Sequence, residues 1–243
     1  MSFSVLARFY DRMSDTSVYD DYLSFITAAI EKYSLIKVED ILDLACGTGQ
    51  LAYRLQSKGY GMVCVDESSE MLSKARENGE ELLLLNQSMY NFELYGTVQA
   101  TVCTLDSLNY LKAAVELEKV FSLVRNYTEK GGLFIFDVNT KYRFDTAYGD
   151  KSFVLEQGGD MLIWQNSNRK NGTHILDITL FEEQPDGSYQ RYDEQQRQKY
   201  FSLSTIDKLL KNQNFEFVAV FGDLKMGKIT PDSEKYYIIA RCI

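Results

Sequence analysis

ILDLACGTGQLAYRLQSKG (41–59) is the stretch on which the reading of this sequence turns. Asp40 to Ala45 is a short apolar run of the kind a buried strand needs. From Thr48 to Lys58 the spacing turns helical, and Gly59 follows as a stop. The link between them is Asp43-Leu44-Ala45-Cys46-Gly47-Thr48-Gly49. Its glycines allow a sharp turn and let backbone approach a ligand with no Cβ in the way. The helix that follows offers unpaired N–H groups. A doubly wound α/β fold places its ligand at such a junction.

Working outward, the same alternation continues. Residues 3–13 and 18–33 read as helices; the second carries Tyr22, Phe25, Ile26, Ala29, Ile30 and Tyr33 at helical spacing. Downstream, 62–67 is a strand, 68–78 a helix capped by Ser68, and 82–86 and 98–105 are strands. Residues 113–127 form a helix, and Gly131-Gly132 precedes a strand over 133–139. Strands alternating with helices predict a mostly parallel, doubly wound sheet. Residues 151–201 depart from this pattern. They read as antiparallel strands, with turns at Asn171-Gly172 and Pro185-Asp186-Gly187. A helix over 204–211 follows, with Ser204 and Asp207 spaced as a capping box. Strands at 215–222 and 234–243 finish the chain as an antiparallel edge pair.

Composition narrows the partners. The chain has 243 residues, of which 45% are hydrophobic and 25% charged. That is an ordinary globular balance. No apolar run approaches the ~20 residues of a membrane span, and no signal peptide is read at the N-terminus. The 35 acidic residues outnumber the 26 basic ones, a formal charge of −9. Such a charge disfavours nucleic acid and suits small molecules. Cys46, Cys64, Cys103 and Cys242 show no Cys-x-x-Cys spacing, and His174 is the only histidine. Reduced thiols, a cytoplasmic location and no metal site are expected.

Gly47-Thr48-Gly49-Gln50-Leu51-Ala52 also satisfies the dinucleotide pattern G-x-G-x-x-A, so an NAD-dependent oxidoreductase is weighed. Asp43 decides against it. At the strand end its carboxylate repels a pyrophosphate but attracts the ammonium of an amino-acid ligand. The next strand ends in Asp66, seventeen residues after Gly49, where an acid can accept both hydroxyls of a ribose.

ILDLACGTGQLA (41–52), VDESSEML (65–72) and GGLFIFDVN (131–139) together resemble the successive motifs of class I S-adenosylmethionine-dependent methyltransferases. The likeness is to the small-molecule branch that includes glycine and sugar-amine N-methyltransferases. ARFYDRMSDTSVYDDY (7–22) is similar to the tyrosine-containing lid of that branch. The resemblance implies a Rossmann-like, mostly parallel seven-stranded sheet with an antiparallel last strand pair. The chain is read as a helical lid (1–36), a cofactor-binding domain (37–140 and 202–243) and, because antiparallel strands interrupt the α/β pattern, an inserted antiparallel β subdomain (141–201) that serves as substrate cover or dimer surface. The resemblance also carries over the site. It implies S-adenosyl-L-methionine as cofactor, with Asp43, Ala45, Gly47 and Gly49 at its methionine part, Asp66 at its ribose, and Tyr10 and Tyr19 closing over it. The family usually has an aspartate where Ser88 stands, which leaves adenine to Gln87, Ser88, Met89 or backbone. Leu105 and Asp106 are expected beside the transferred methyl.

Methyl transfer needs alignment and exclusion of water more than a strong base. Asp106, Tyr10 and His174 are the candidates for orienting the nucleophile or accepting its proton. His174 shares an alternate-residue face with Leu176, Ile178 and Leu180, which also suits a packed core position. The Asn/Asp-Pro-Pro-Tyr motif of adenine and glutamine-amide methyltransferases is absent, since Pro185 and Pro231 are the only prolines. The expected partner is a small-molecule methyl acceptor with an N or O nucleophile, and the expected assembly a monomer or homodimer. A non-catalytic S-adenosylmethionine-binding regulator is the other alternative.

Overall fold

The computed structural model describes residues 6–79, 82–169 and 171–243, so the first three residues of the expected helix 3–13 lie outside it. The order of elements is α1 (Leu6–Met13), α2 (Val18–Tyr33), β1 (Asp40–Leu44), α3 (Gln50–Gln56), β2 (Gly61–Asp66), α4 (Ser69–Asn78), β3 (Leu83–Asn86), β4 (Val98–Cys103), α5 (Ala114–Tyr127) and β5 (Thr128–Asn139). Then follow β6 (Ser152–Gln157), β7 (Asp160–Asn168), β8 (Thr173–Glu183), β9 (Tyr189–Lys199), α6 (Leu203–Asn212), β10 (Phe215–Phe221) and β11 (Lys235–Cys242).

Seven strands form one sheet in the order β10-β11-β5-β4-β1-β2-β3. β3, β2, β1, β4 and β5 run parallel, and β11 lies antiparallel between β5 and β10. The chain leaves β1 toward β2 on one side and returns to β4 on the other. That reversal opens a crevice at the strands' C-terminal ends. Alternating residues of the central strands serve two cores. Leu42, Leu44, Phe134 and Phe136 pack with Leu117, Phe121 and Val124 of α5 and with Leu209 and Leu210 of α6. Ile41, Leu133 and Ile135 pack on the other face with Phe25, Ile26 and Ala29 of α2 and with Leu51 and Leu55 of α3.

Residues 152–199 form a separate four-stranded antiparallel sheet, β6-β7-β8-β9. Phe9 and Met13 of α1 pack against its Leu162, Ile178 and Leu180, so the first helix belongs to this sheet's core. No helix of the described residues is long and apolar enough to cross a membrane.

Two local expectations change. The cap of α6 is Ser202, whose Oγ accepts from the Thr205 N–H at 3.1 Å, not Ser204; Asp207 instead pairs with Lys211 at 2.8 Å, one turn on. Gly131-Gly132 does not precede β5 but lies inside it, near a shift in the β4–β5 register. Gly131 has φ +88°, and a Cβ on Gly132 would collide with the Gln99 carbonyl oxygen. Close strand approach accounts for the pair.

Candidate active site

The crevice at the C-terminal ends of β1, β2 and β4 holds a cavity enclosing roughly 1150 Å³, solvent at its mouth included.

The floor is the turn after β1. Ala45, Gly47 and Gly49 have φ of 63°, 55° and 74°, so the chain coils left-handed at alternate residues. Ala45 and Cys46 both donate to the Val65 carbonyl, at 2.7 and 3.1 Å. Around the ideal Cβ position of Gly47 there is no atom within 4 Å; the open space is the cavity itself. Gly49 faces away, packed near Tyr53 and Ala75, which lets α3 and α4 approach each other.

Asp43 and Asp66 bring negative charge to this floor. Asp43 is 2% exposed, and its Oδ2 is buried with no hydrogen-bond partner. Burial, reinforced by Asp66, pushes its carboxyl up to about 7. Asp66 stands on the neighbouring strand. Its Oδ2 accepts from the Gly47 N–H and its Oδ1 from the Ser68 N–H, both at 2.9 Å. Burial raises its carboxyl despite those bonds. Val65, Met71, Met89 and Leu105 add apolar wall.

On the opposite side of β1 the end of β4 builds the other half. Leu105 and Asp106 both take left-handed backbone, with φ of 55° and 54°. Such strain costs about 1–3 kcal/mol per residue and persists only where surroundings enforce it. Here Asp137 Oδ2 accepts from the Asp106 N–H at 2.8 Å. Lys235 Nζ lies 2.7 Å from Asp106 Oδ1 and 2.8 Å from Asp137 Oδ2. Gln198 donates to Asp106 Oδ2 at 2.6 Å. Burial alone would raise the Asp106 carboxyl, but Lys235, Arg143 and the Gln198 amide outweigh it and hold it below its ordinary value. Tyr110 donates to Gln196 at 2.8 Å, and both line the cavity with Ser107.

Tyr10 of α1 and Tyr19 of α2 also line the cavity. Burial, with Asp106 and Asp11 adding to it, pushes the Tyr10 phenol up to about 12, so it stays a proton donor at neutral pH. Beside Tyr10, Asp11 accepts from Thr48 Oγ1 at 2.6 Å, Gln50 Nε2 at 3.0 Å and Asn78 Nδ2 at 2.8 Å. Those bonds tie α1 to the turn after β1 and to the end of α4.

Comparison with known proteins agrees with this geometry. Residues 41–132 match the family described as a methyltransferase domain. A Geobacillus sp. (strain WCH70) protein with a provisional methyltransferase name is 28% identical over 99% of this chain and 100% of its own length. The solved S-adenosylmethionine-dependent methyltransferase from Clostridium acetobutylicum ATCC 824 is 27% identical and superimposes with a TM-score of 0.87 over 99% of this chain and 98% of that one. Over a shorter stretch, 40% of this chain and 38% of the relative, it is 30% identical to the glycine/sarcosine N-methyltransferase of Halorhodospira halochloris.

The chain is a class I S-adenosylmethionine-dependent methyltransferase.

Its cavity fits that cofactor on the structure's own terms. A buried carboxylate oxygen without a partner suits an ammonium group, and the Cβ-free wall at Gly47 leaves room for one to approach. Asp43 is equally out of place beside a pyrophosphate, so the NAD alternative gives way.

The methyltransferase brings Tyr10, Tyr19, Asp43, Ala45, Gly47, Asp66, Met89, Leu105 and Asp106 to one cavity. Four residues singled out from the sequence lie elsewhere. Gly49 sits behind the turn. Gln87 is held in its own loop, donating to the Glu93 carbonyl at 3.2 Å and accepting from the Glu93 N–H at 2.7 Å. Ser88 pairs with Asn91 in an isolated bridge, its Oγ buried without a partner. His174 lies outside the cavity lining, its Nδ1 2.6 Å from Asn168 and its Nε2 3.0 Å from Asn166. The sequence reading missed Tyr110, Asp137, Gln196, Gln198 and Lys235. Asp137 carried one signal, an acid within the apolar run LFIFDVN; the other four sit in stretches that read as turn or solvated strand.

Proposed function

We propose that this methyltransferase transfers its methyl group to the amine of a small molecule. Asp43, Ala45, Gly47 and Asp66 would hold the cofactor, and Met89 and Met71 would flank its base. α1 and α2 would act as the lid, and the sheet 152–199 as the cover over the acceptor. When bound, S-adenosylmethionine supplies a methyl group activated by the sulfonium, which a lone pair can attack in line.

The observation that carries the amine reading is the charge of the cluster behind Asp106. Asp106, Asp137 and Lys235, all largely buried, are two carboxylates and one ammonium; the neighbouring Arg143 is offset by its ion pair with Glu234, so the cluster sums to −1. A buried net negative charge facing a cavity favours a cationic partner there. The relatives include a glycine/sarcosine N-methyltransferase, which fits the same choice. Asp106 would receive the acceptor as an ammonium and orient it. With its carboxyl held low, Asp106 is a weak base, so the amine's proton would leave to water before attack. Tyr10 and Tyr19 would then exclude water from the aligned pair.

A labelled-methyl screen with separate panels of amines, alcohols, phenols and carboxylates tests this. Amines should carry the label, and Asp106→Asn should raise the acceptor KM at least tenfold while leaving S-adenosylhomocysteine affinity within threefold. Labelling confined to oxygen acceptors would overturn the amine reading.

A further inference from the structure

We infer that Lys235 is the positioning residue of the acceptor end: its buried ammonium holds Asp106 as an anion and fixes the left-handed Leu105-Asp106 turn in the cavity wall. The inference rests on the reading above in one respect, that Asp106 meets the acceptor.

The geometry assigns this role to one side chain. Lys235 opens β11, is 8% exposed at its side chain, and bonds both acids at ordinary ion-pair distance. It therefore joins the ends of β4 and β5, on the strand that lies beyond both. Its ammonium does two things at once. It neutralises one of the two carboxylates that face each other across the turn. It also fixes Asp106 Oδ1, while Gln198 of β9 fixes Oδ2, so the carboxylate plane is set from two sides. Asp137 is itself anchored, accepting from the Tyr22 hydroxyl of α2 at 2.9 Å. Other groups act on Asp106 electrostatically. Arg143, from the π-helical turn Arg143–Tyr148 after β5, also favours its anion. Arg143 is already engaged by Glu234 at 2.9 Å and by Tyr148. The phenols of Tyr10, Tyr110 and Tyr148 face the same carboxylate and are kept protonated by burial. Among the described residues, only Lys235 bonds Asp106 as a cation. Without it, Asp106 and Asp137 could not both stay ionised so close together, and one would keep a proton.

The test uses the full chain with S-adenosylhomocysteine bound, and ¹³C signals of the aspartate carboxyls, with Asp106 assigned by its loss in D106N. In the wild type the Asp106 signal should stay flat from mildly acidic to mildly alkaline pH. In K235M a carboxyl of the Asp106–Asp137 pair should titrate in the neutral range, and K235R should restore the flat response. Methylammonium serves as the acceptor probe. It should shift the Asp106 signal in the wild type and in K235R, and leave it unmoved in K235M at neutral pH. S-adenosylhomocysteine affinity should stay within threefold throughout. A K235M protein with a flat carboxyl response, or one that loses S-adenosylhomocysteine affinity tenfold, overturns the inference. Should K235M not fold, the wild-type titration decides alone: an Asp106 signal that titrates near neutrality overturns it, and a flat one supports it. If methylammonium leaves Asp106 unmoved in the wild type while the titrations behave as stated, the amine reading fails and Lys235 keeps its role.

Discussion

The two acids on either side of β1 stand in opposite surroundings. Asp66, with Asp43 beside it, belongs to a floor built from residues close in sequence and short of positive charge: Asp43 Oδ2 has no partner, and burial pushes its carboxyl up to about 7. Asp106 belongs to a wall built from distant segments and already supplied with a cation, Lys235, 129 residues further along the chain. The difference teaches what each end awaits. An unpaired buried carboxylate costs stability until a cation arrives, so the Asp43 end would be completed by a cationic ligand. At the Asp106 end the carboxylate is already held in place by Lys235 and Gln198, so it can fix an orientation beforehand while the cluster's remaining negative charge still favours a cationic partner.

The largest effect should come from breaking the floor. Asp66→Ala removes the acceptor of the Gly47 and Ser68 N–H groups and the expected ribose contact together. At about 1.5–3 kcal/mol for each charge-assisted bond, S-adenosylhomocysteine affinity should fall about 100-fold or more by calorimetry. A loss of threefold or less would mean the ribose is not held there.

Asp43→Asn should give the next largest effect, and with two signs. An acid whose folded pKa is raised from 3.8 to about 7 contributes its stability at low pH and loses it progressively as pH rises between those values. The ligand-free Asn variant should therefore melt higher than the wild type at pH 8. Its affinity for S-adenosylmethionine should be about tenfold weaker, since the ammonium loses its counter-charge. Wild-type affinity should rise with pH up to about 7, with protons released on binding below that, seen as buffer-dependent heats. Equal heats in phosphate and Tris at pH 6.5 would refute an ionising Asp43.

How much of this was readable from residues alone follows the same division. Asp43, Ala45, Gly47 and Asp66 could be placed because a strand, a glycine turn and a helix are local, and the chemistry sits where they meet. The antiparallel edge pair and the 152–199 sheet were legible from turn signals and alternation. Lys235 could not be found this way. In EKYYIIARCI (234–243) it reads as the solvated start of a strand, and only the β11–β5 register carries it to Asp137 and Asp106. Gln196 and Gln198 likewise lie in a run, QRYDEQQRQKY, that looks fully exposed; alternate glutamines turn inward because the strand's other face meets the cavity wall. Ser202 displaced Ser204 as a cap for a simpler reason: caps are set by where the backbone turns extended, which composition shows only to within a residue or two.

A smaller effect is expected where α1 joins the two regions. Asp11→Ala removes three hydrogen bonds, to Thr48, Gln50 and Asn78. They are partly exposed and so worth about 1 kcal/mol together. S-adenosylhomocysteine should dissociate about fivefold faster in stopped-flow measurements, with the melting temperature shifted by only a few degrees. An unchanged off-rate would show that α1 does not gate the cavity.

The smallest effect on the cofactor should come from His174, the one histidine, which sits 1% exposed in the second sheet. Phe144 and Tyr148 rings lie 5.0 and 5.6 Å from its own, and Asn166 and Asn168 occupy its nitrogens. His174→Gln should leave S-adenosylhomocysteine affinity within twofold. It should lower the melting temperature by a few degrees, because a packed ring and its two polar contacts are lost. The pH dependence separates this role from catalysis. Burial lowers the imidazole below its usual 6.5, against the pull of Asp150 and Asp145. A histidine with a depressed pKa contributes its stability above the unfolded value and loses it as pH falls through the folded one. The wild type should thus lose stability below about pH 6.5 more steeply than the Gln variant, which has no proton to take up there. Parallel acid limbs in thermal melts of the two proteins would mean that the imidazole takes up its proton as readily in the folded protein as in the unfolded chain, and that its burial in the second sheet does not hold it neutral.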